Sequence, residues 1–302
     1  MSVNASTYSQ STWGLAWRRF LDHKLAVGSA LFLGALVILS IGASGFEWLL
    51  GIDANQVNLL ARFAPPSTRH WLGTDGLGRD IFVRLLYGGQ VSLSVGLATA
   101  LGAAVIGTAI GLLAGYRGGW LDAFLMRTTD SVIALPLLPL LIVLAALDLS
   151  KLGLPADITN SESISLYRII IIVALVGWTS VARLVRGSAL SLRERDFVLA
   201  ARAQGASAAR LMFVHILPNL ISPIIVAMTL SIGHVILLES VLSFLGLGIQ
   251  PPIASWGNLL TDAQERLFEL AVYPGAAIFC TVIAFNFLGD GLQDAVDPRS
   301  ES

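Results

Sequence analysis

Six stretches of this chain are too long and too apolar to stay in water, and they constrain its fold more than any motif does. They cover 25–46, 91–116, 131–147, 166–185, 220–248 and 270–289. A hydrocarbon layer of about 30 Å takes about 20 apolar residues of helix. A helix also closes its own backbone hydrogen bonds, which lipid cannot supply. The stretches are therefore read as spanning helices of an all-α, polytopic membrane protein with six transmembrane helices. The third is short and interrupted by Pro136 and Pro139. The fifth contains His234 and Glu239, so it is expected to bend or to end early. The organisation predicted is a tail over 1–24, a six-helix membrane domain over 25–290 with a structured loop around 186–218, and a tail over 291–302.

Composition agrees. Hydrophobic residues make up 55% of the 302 and charged residues only 13%, against about 25% charged in a soluble domain. The net charge of −1 leaves no electrostatic footprint for nucleic acid. The single cysteine, Cys280, excludes an intrachain disulfide and reads as a small packed hydrophobe. The first apolar stretch follows Arg18, Arg19 and Lys24 and reads as an anchor that stays rather than a cleaved leader. There is no Gly-x-x-x-x-Gly-Lys-Ser/Thr phosphate loop, so the chain is not expected to hydrolyse a nucleotide by itself. Gly96, Gly102, Gly107, Gly111 and Gly115 in the second stretch suit close helix approach, within one bundle, at a subunit interface or along a path.

With six spans, both termini share a side. Twelve lysines and arginines fall on that side and seven on the other, which favours cytoplasmic termini. The loop between the fourth and fifth spans dominates the count, with Arg183, Arg186, Arg193, Arg195, Arg202 and Arg210. This loop is patterned. "RERDFVLAARAQ" is rich in helix formers, with an apolar face expected through Phe197, Ala200, Ala201 and Ala203. Gly205 permits a tight turn, Ser207 is placed to cap "AARLMFVHI", and Leu217 and Pro218 lead into the fifth span. Helix, turn, helix at the membrane surface is the reading. It fits an interfacial amphipathic hairpin or a knob that docks on a second protein.

The same loop carries a resemblance. The chain resembles the permease subunits of ATP-binding-cassette importers of the dipeptide, oligopeptide and nickel group, in the C-type subunit. Their cytoplasmic signature is Glu-Ala-Ala, three residues, Gly, nine residues, then Ile, any residue, Leu-Pro. Ala200, Ala201, Gly205, Leu217 and Pro218 fall in register, with Leu199 at the glutamate position and His215 at the isoleucine. "HWLGTDGLGRDIFVRLLYGGQVSL" (70–93), "AGYRGGWLDAFLMRTTDSVIALP" (114–136), "ESVLSFLGLGIQPPIASWGNLLTDA" (239–263) and "YPGAAIFCTVIAFNFLGDGLQDAVDPR" (273–299) follow in the group's order.

The resemblance implies a type I importer permease fold in a bacterial cytoplasmic (inner) membrane. It implies a lipid bilayer around the chain, a B-type sister permease, two ATP-binding subunits (D- and F-type) and an extracytoplasmic solute-binding protein. ATP and magnesium would be used by the partner subunits, and this chain would bind no cofactor. Ala200 to Phe213 would be the coupling element, with Leu211, Met212 or Phe213 as apolar contact and Arg202 and Arg210 at its rim. The solute would be a di- or oligopeptide, with nickel or another small solute as the alternative. An ion-coupled secondary transporter would show repeated halves, and no repeat is visible; a purely structural membrane protein is a further rival.

Outside the loop, Asp75, Arg79 and Asp80 in "GTDGLGRD" read as a capped external turn or as a docking point for the binding protein. A metal site there is not expected, since His70 is the sole nitrogen ligand nearby. Glu239 either caps an interfacial kink where span five ends near residue 238, or lines or gates a path. His234 lies five residues back, on the wrong side of a straight helix to pair with it. Residues 249–260 read as an external re-entrant or surface element stopped by Pro251 and Pro252, with Trp256 at headgroup level. Asp290 and Asp294 read as cytoplasmic helix-end residues.

Overall fold

The computed structural model describes residues 12–147, 155, 161, 163–261 and 267–296. Lys151, Arg266 and Arg299, which enter the charge count, lie outside the described residues, as do the outer parts of both tails. The chain opens with α1 (Thr12–Asp22), followed directly by α2 (Lys24–Ile41), whose first turn is capped by the His23 ring accepting from the Ala26 amide at 3.1 Å. The stretch expected as one span over 25–46 is instead divided at Gly42 into α2 and α3 (Ala43–Leu50). Gly51 ends α3 in the left-handed region, at φ 62°.

Helix α4 (Ile81–Arg117) begins at Ile81 rather than near residue 91, because Asp80 caps it by accepting from the Val83 amide at 2.8 Å. Gly118, at φ 65°, turns the chain into α5 (Gly119–Ala134). The third stretch, 131–147, straddles a break: α5 and α6 (Leu137–Ala145) meet at 85°. Pro136 explains it, since proline has no amide to continue the ladder and pushes the residue before it into extended geometry. Leu135 is extended, at ψ 137°.

Helix α7 (Ile164–Leu192) leads to the short α8 (Asp196–Ala203). Beyond the turn, Ala208–Arg210 and a π-helical turn over Leu211–Ile216 run without interruption into α9 (Leu217–Phe244). The fifth span therefore does not end near residue 238. A one-turn helix, α10 (Trp256–Leu259), and the long α11 (Leu267–Val296) follow. Five helical segments are long and apolar enough to cross a membrane: α2, α4, α7, Ala208–Phe244 and α11; the bent α5–α6 pair makes a sixth if taken as one span.

The centre is the pair α4 and α7. On α4, Gly107, Gly111 and Gly115 recur every fourth residue, and each faces the backbone of α7, at Trp178, Ala182 and Arg186 respectively. Without side chains at these points the two helix backbones touch, which is how small residues replace a hydrophobic driving force in lipid. Helix α9 packs on α4 and α11, and α2 closes against α4 and α11. One apolar cluster joins Val95, Leu141, Ile169, Val173 and Leu242. Another, nearer the basic loop, joins Leu112, Val185, Val198, Leu211 and Ile216.

Candidate functional site

The basic loop is a rigid knob. Arg195 enters it extended, and α8 then buries Val198 completely while Phe197, Leu199 and Ala200 face outward. Val198 is the inward residue of α8, whereas on the apolar face read from the sequence Phe197, Ala200 and Ala203 are exposed and Ala201 is half-buried. At the turn, the Gly205 amide donates to the Arg202 carbonyl and the Ala206 amide to the Ala201 carbonyl. Gly205 sits at φ 84°, a left-handed position that ends a helix cheaply only for glycine. Ser207 caps the next turn, its hydroxyl accepting from the Arg210 amide at 3.3 Å.

The π turn then rotates the face presented by the chain. Leu211 and Met212 are buried in this chain, at 1% and 7% exposure, whereas Phe213 and Val214 stand out, at 61% and 58%. Of Leu211, Met212 and Phe213, only Phe213 presents its side chain outside this chain. His215 and Leu217 are half-buried, and Pro218 is exposed in the first turn of α9.

The arginines divide into two sets. Arg186 forks onto Asp122 through Nε and Nη2 at 2.5 and 2.7 Å, tying α7 to α5. Arg183 pairs with Asp130, and Arg193 donates to the Gly115 carbonyl at 3.1 Å. These three brace the bundle. Arg195, Arg202 and Arg210 are exposed on the knob, with the Arg202 guanidinium 6.0 Å from the Tyr116 ring centre. Sequence reasoning missed Asp122; its only local signal was an acid beside "YRGG" facing a basic loop.

At the other end of α4 lies a polar knot. Asp75 accepts from the Leu77 and Arg79 amides, both at 2.9 Å, and pairs with Arg79 Nε at 2.7 Å, with Arg84 Nε at 3.6 Å. Asp80 caps α4 with one oxygen and meets His70 Nδ1 at 2.9 Å with the other. Both acids are buried and fully engaged within this chain, as a capped turn requires. Among the described residues, no group of three His, Cys, Asp or Glu side chains is arranged for a metal ion.

Glu239 is enclosed, with no exposed surface. It lies inside α9, not at an interfacial kink, and it does not wall the cavity described below. Its Oε1 accepts from Ser243 at 2.7 Å and its Oε2 from Ser92 at 3.1 Å. Each serine also accepts a backbone amide: Ser92 from Trp256 at 3.2 Å, Ser243 from Ile249 at 3.0 Å. The 249–259 segment thus hangs from α4 and α9 through one carboxyl group. Trp256 is 1% exposed, so its ring packs inside the protein rather than against lipid. Its ring lies against Gly88 and Gly89, its Nε1 donates to the Leu85 carbonyl at 3.0 Å, and Gly257 abuts Ser240 and Ser243.

Replacing Glu239 tests this suspension. Gln keeps an acceptor for one serine, whereas Leu leaves two buried hydroxyls without one, and each such loss costs about 1–3 kcal/mol. Glu239→Leu is expected to lower the melting temperature of the purified complex well below that of Glu239→Gln. Equal melting temperatures for the two would remove the carboxyl group from this role.

A cavity of about 250 Å³ opens between α4, the α5–α6 break, α7 and α9. His234 and Ser231 of α9, Thr99 of α4 and Thr179 and Ser180 of α7 supply its polar groups. Thr99 and Ser231 were not singled out by sequence; each is one small polar residue in an apolar run.

Two family descriptions match the chain. "Binding-protein-dependent transport system inner membrane component" covers residues 107–302, and "N-terminal TM domain of oligopeptide transport permease C" covers 11–66. The chain belongs to this permease family. Among curated relatives, the dipeptide transport system permease protein DppC of Alkalihalophilus pseudofirmus is 39% identical, over 97% of this chain and 91% of the relative. The oligopeptide transport system permease protein OppC of Bacillus subtilis is 38% identical, over 97% and 92%. The glutathione transport system permease protein GsiD of Escherichia coli O6:K15:H31 is 42% identical, over 96% and 91%. The permease is therefore a C-type, polytopic inner-membrane subunit of an ATP-driven importer, forming part of a translocation path coupled to ATPase subunits.

Proposed function

We propose that the permease moves di- or oligopeptides into the cytoplasm beside a B-type sister permease. Peptide is delivered by an extracytoplasmic binding protein, and ATP is hydrolysed with magnesium on D- and F-type subunits. The membrane domain spans 25–290, both termini and the 186–218 loop face the cytoplasm, and residues 196–218 form the coupling element. Within it Ala200, Ala201, Gly205, Leu217 and Pro218 set the shape, Arg202, Arg210 and Phe213 face the ATPase, and Leu211, Met212 and His215 join it to the bundle. Asp75, Arg79, Asp80 and Trp256 hold the external end of α4 in shape.

The observation that carries this reading is the knob itself. Phe213 and Val214 stand exposed on the π-helical turn that follows the capped Gly205–Ser207 turn and its outward Arg202 and Arg210. Large apolar side chains left outside the packed bundle and close to charged ones fit a surface that another protein covers. The peptide substrate is supported by what the three relatives are named for.

Vesicles holding the permease with its sister and ATPase subunits, supplied with binding protein, are expected to take up labelled trialanine only with ATP. In the same complex, Phe213→Cys is expected to cross-link to an ATPase subunit. Uptake by the permease alone, or cross-linking of residue 213 only to lipid, would overturn the reading.

A further inference from the structure

We infer that the cavity walled by Thr99, Thr179, Ser231 and His234 is a transient binding site for an uncharged amide group of the passing solute; the inference rests on the peptide reading above. The polar groups form a mixed set. The Thr99 hydroxyl is wholly buried and makes no hydrogen bond, so its proton is available as a donor. The hydroxyls of Ser231 and Thr179 donate to the carbonyls of Ala227 and Val176 on their own helices. Their remaining lone pairs are acceptors. Ser231 and His234 lie three residues apart on α9, so both present to one face. The His234 ring is exposed, and a neutral imidazole offers one donor and one acceptor.

An amide group needs one donor for its carbonyl and one acceptor for its N–H, and this set supplies both. No Asp, Glu, Lys or Arg is among the described residues lining the cavity. A carboxylate or ammonium entering it would lose hydration with no opposite charge in return. The walls are otherwise apolar, contributed by Val132, Leu135, Val173 and Leu238 among others. A site that recognises only the amide treats peptides of different side chains alike. The break at Pro136 opens this space, since Leu135 and Leu137 on either side of it line the cavity.

The test uses the complete importer, with sister permease, ATPases and binding protein, in vesicles. The readout is solute imported per ATP hydrolysed, for trialanine and for its analogue with an ester in place of the second of its two amides. Thr99→Val and His234→Leu are each expected to lower that ratio for trialanine about three- to tenfold, the loss of one hydrogen bond. His234→Gln, which keeps a donor and an acceptor, is expected to restore it, and the ester is expected to lose less in His234→Leu than trialanine does. In a Cys280→Ser background, His234→Cys is expected to react with a water-soluble maleimide, and less so during peptide turnover. Wild-type ratios in both Thr99→Val and His234→Leu would overturn the inference. So would absence of labelling, which would mean that the sister permease covers this face. No uptake of trialanine by the wild-type importer would instead overturn the peptide reading, and with it the amide.

Discussion

Gly111→Val is expected to abolish accumulation of the permease in the membrane. The new Cβ would run into the Ala182 carbonyl oxygen of α7, and would lie 2.9 Å from the Val185 Cβ and 3.0 Å from the Arg186 amide. Backbone cannot swing aside as a flexible side chain can. One turn away, a Cβ on Gly107 would lie 2.6 Å from the Trp178 carbonyl, and one on Gly115 2.7 Å from the Arg186 carbonyl. Separating the helices at Gly111 would therefore part them along three turns. Overpacking costs about 1–3 kcal/mol where side chains can adjust, and here the obstacle is backbone. Gly102→Ala is the control, because a Cβ there meets only the Ala174 Cβ at 3.4 Å, an ordinary contact. Fluorescence-detected size exclusion of the two variants measures the effect. A monodisperse Gly111→Val protein at wild-type level would refute the contact as a determinant of folding.

Gly205→Val is expected to leave accumulation near wild type while removing solute-stimulated ATPase activity at least tenfold. A Cβ at Gly205 meets nothing within 4 Å, so the whole effect comes from the backbone. At φ 84° an L-residue is strained by about 1–2 kcal/mol, more for a β-branched one. The turn relieves that strain by changing shape, and Phe213 and Arg210 move relative to Arg202. Leu199→Ala should be tolerated, since its side chain is outward and half in solvent. The assay is the ATPase rate of the reconstituted complex with and without loaded binding protein. Full stimulation in Gly205→Val would show that the shape of this turn does not couple the subunits.

What could be read from the sequence was what depends on near neighbours. The apolar stretches, the Asp80 cap three residues from Val83, the Ser207 cap and the positive φ of Gly205 all follow from residues within a turn of each other. The interfacial-kink reading of Glu239 does not hold, since the helix runs on to Phe244, and its partner Ser92 lies 147 positions away where nothing near Glu239 announces it. Residue type alone could not show that the ring of Trp256 fills a slot made by Gly88 and Gly89 of another helix. Which of Leu211, Met212 and Phe213 stands outward was left open by the resemblance, and the π turn that buries the first two and exposes the third has no signature in the sequence. Of the two prolines in the third stretch only Pro136 breaks the helix, Pro139 lying in the first turn of α6, and periodicity could not say that the angle would be 85°.

The continuous helical run from Ala208 to Phe244, which includes a π turn and Pro223, places the knob at one end and the Glu239 suspension near the other. Ala208 and Glu239 are separated by about 47 Å along such a run, at ~1.5 Å per residue. Held at Glu239, a tilt of about 5° would sweep the knob end through about 4 Å, with the pivot far from the ATPase and close to the external face. His234, five residues from the pivot, would travel only about a sixth as far. If the proposed coupling holds, leverage of this kind would let a partner pull far at the knob while His234 shifts by less than an ångström.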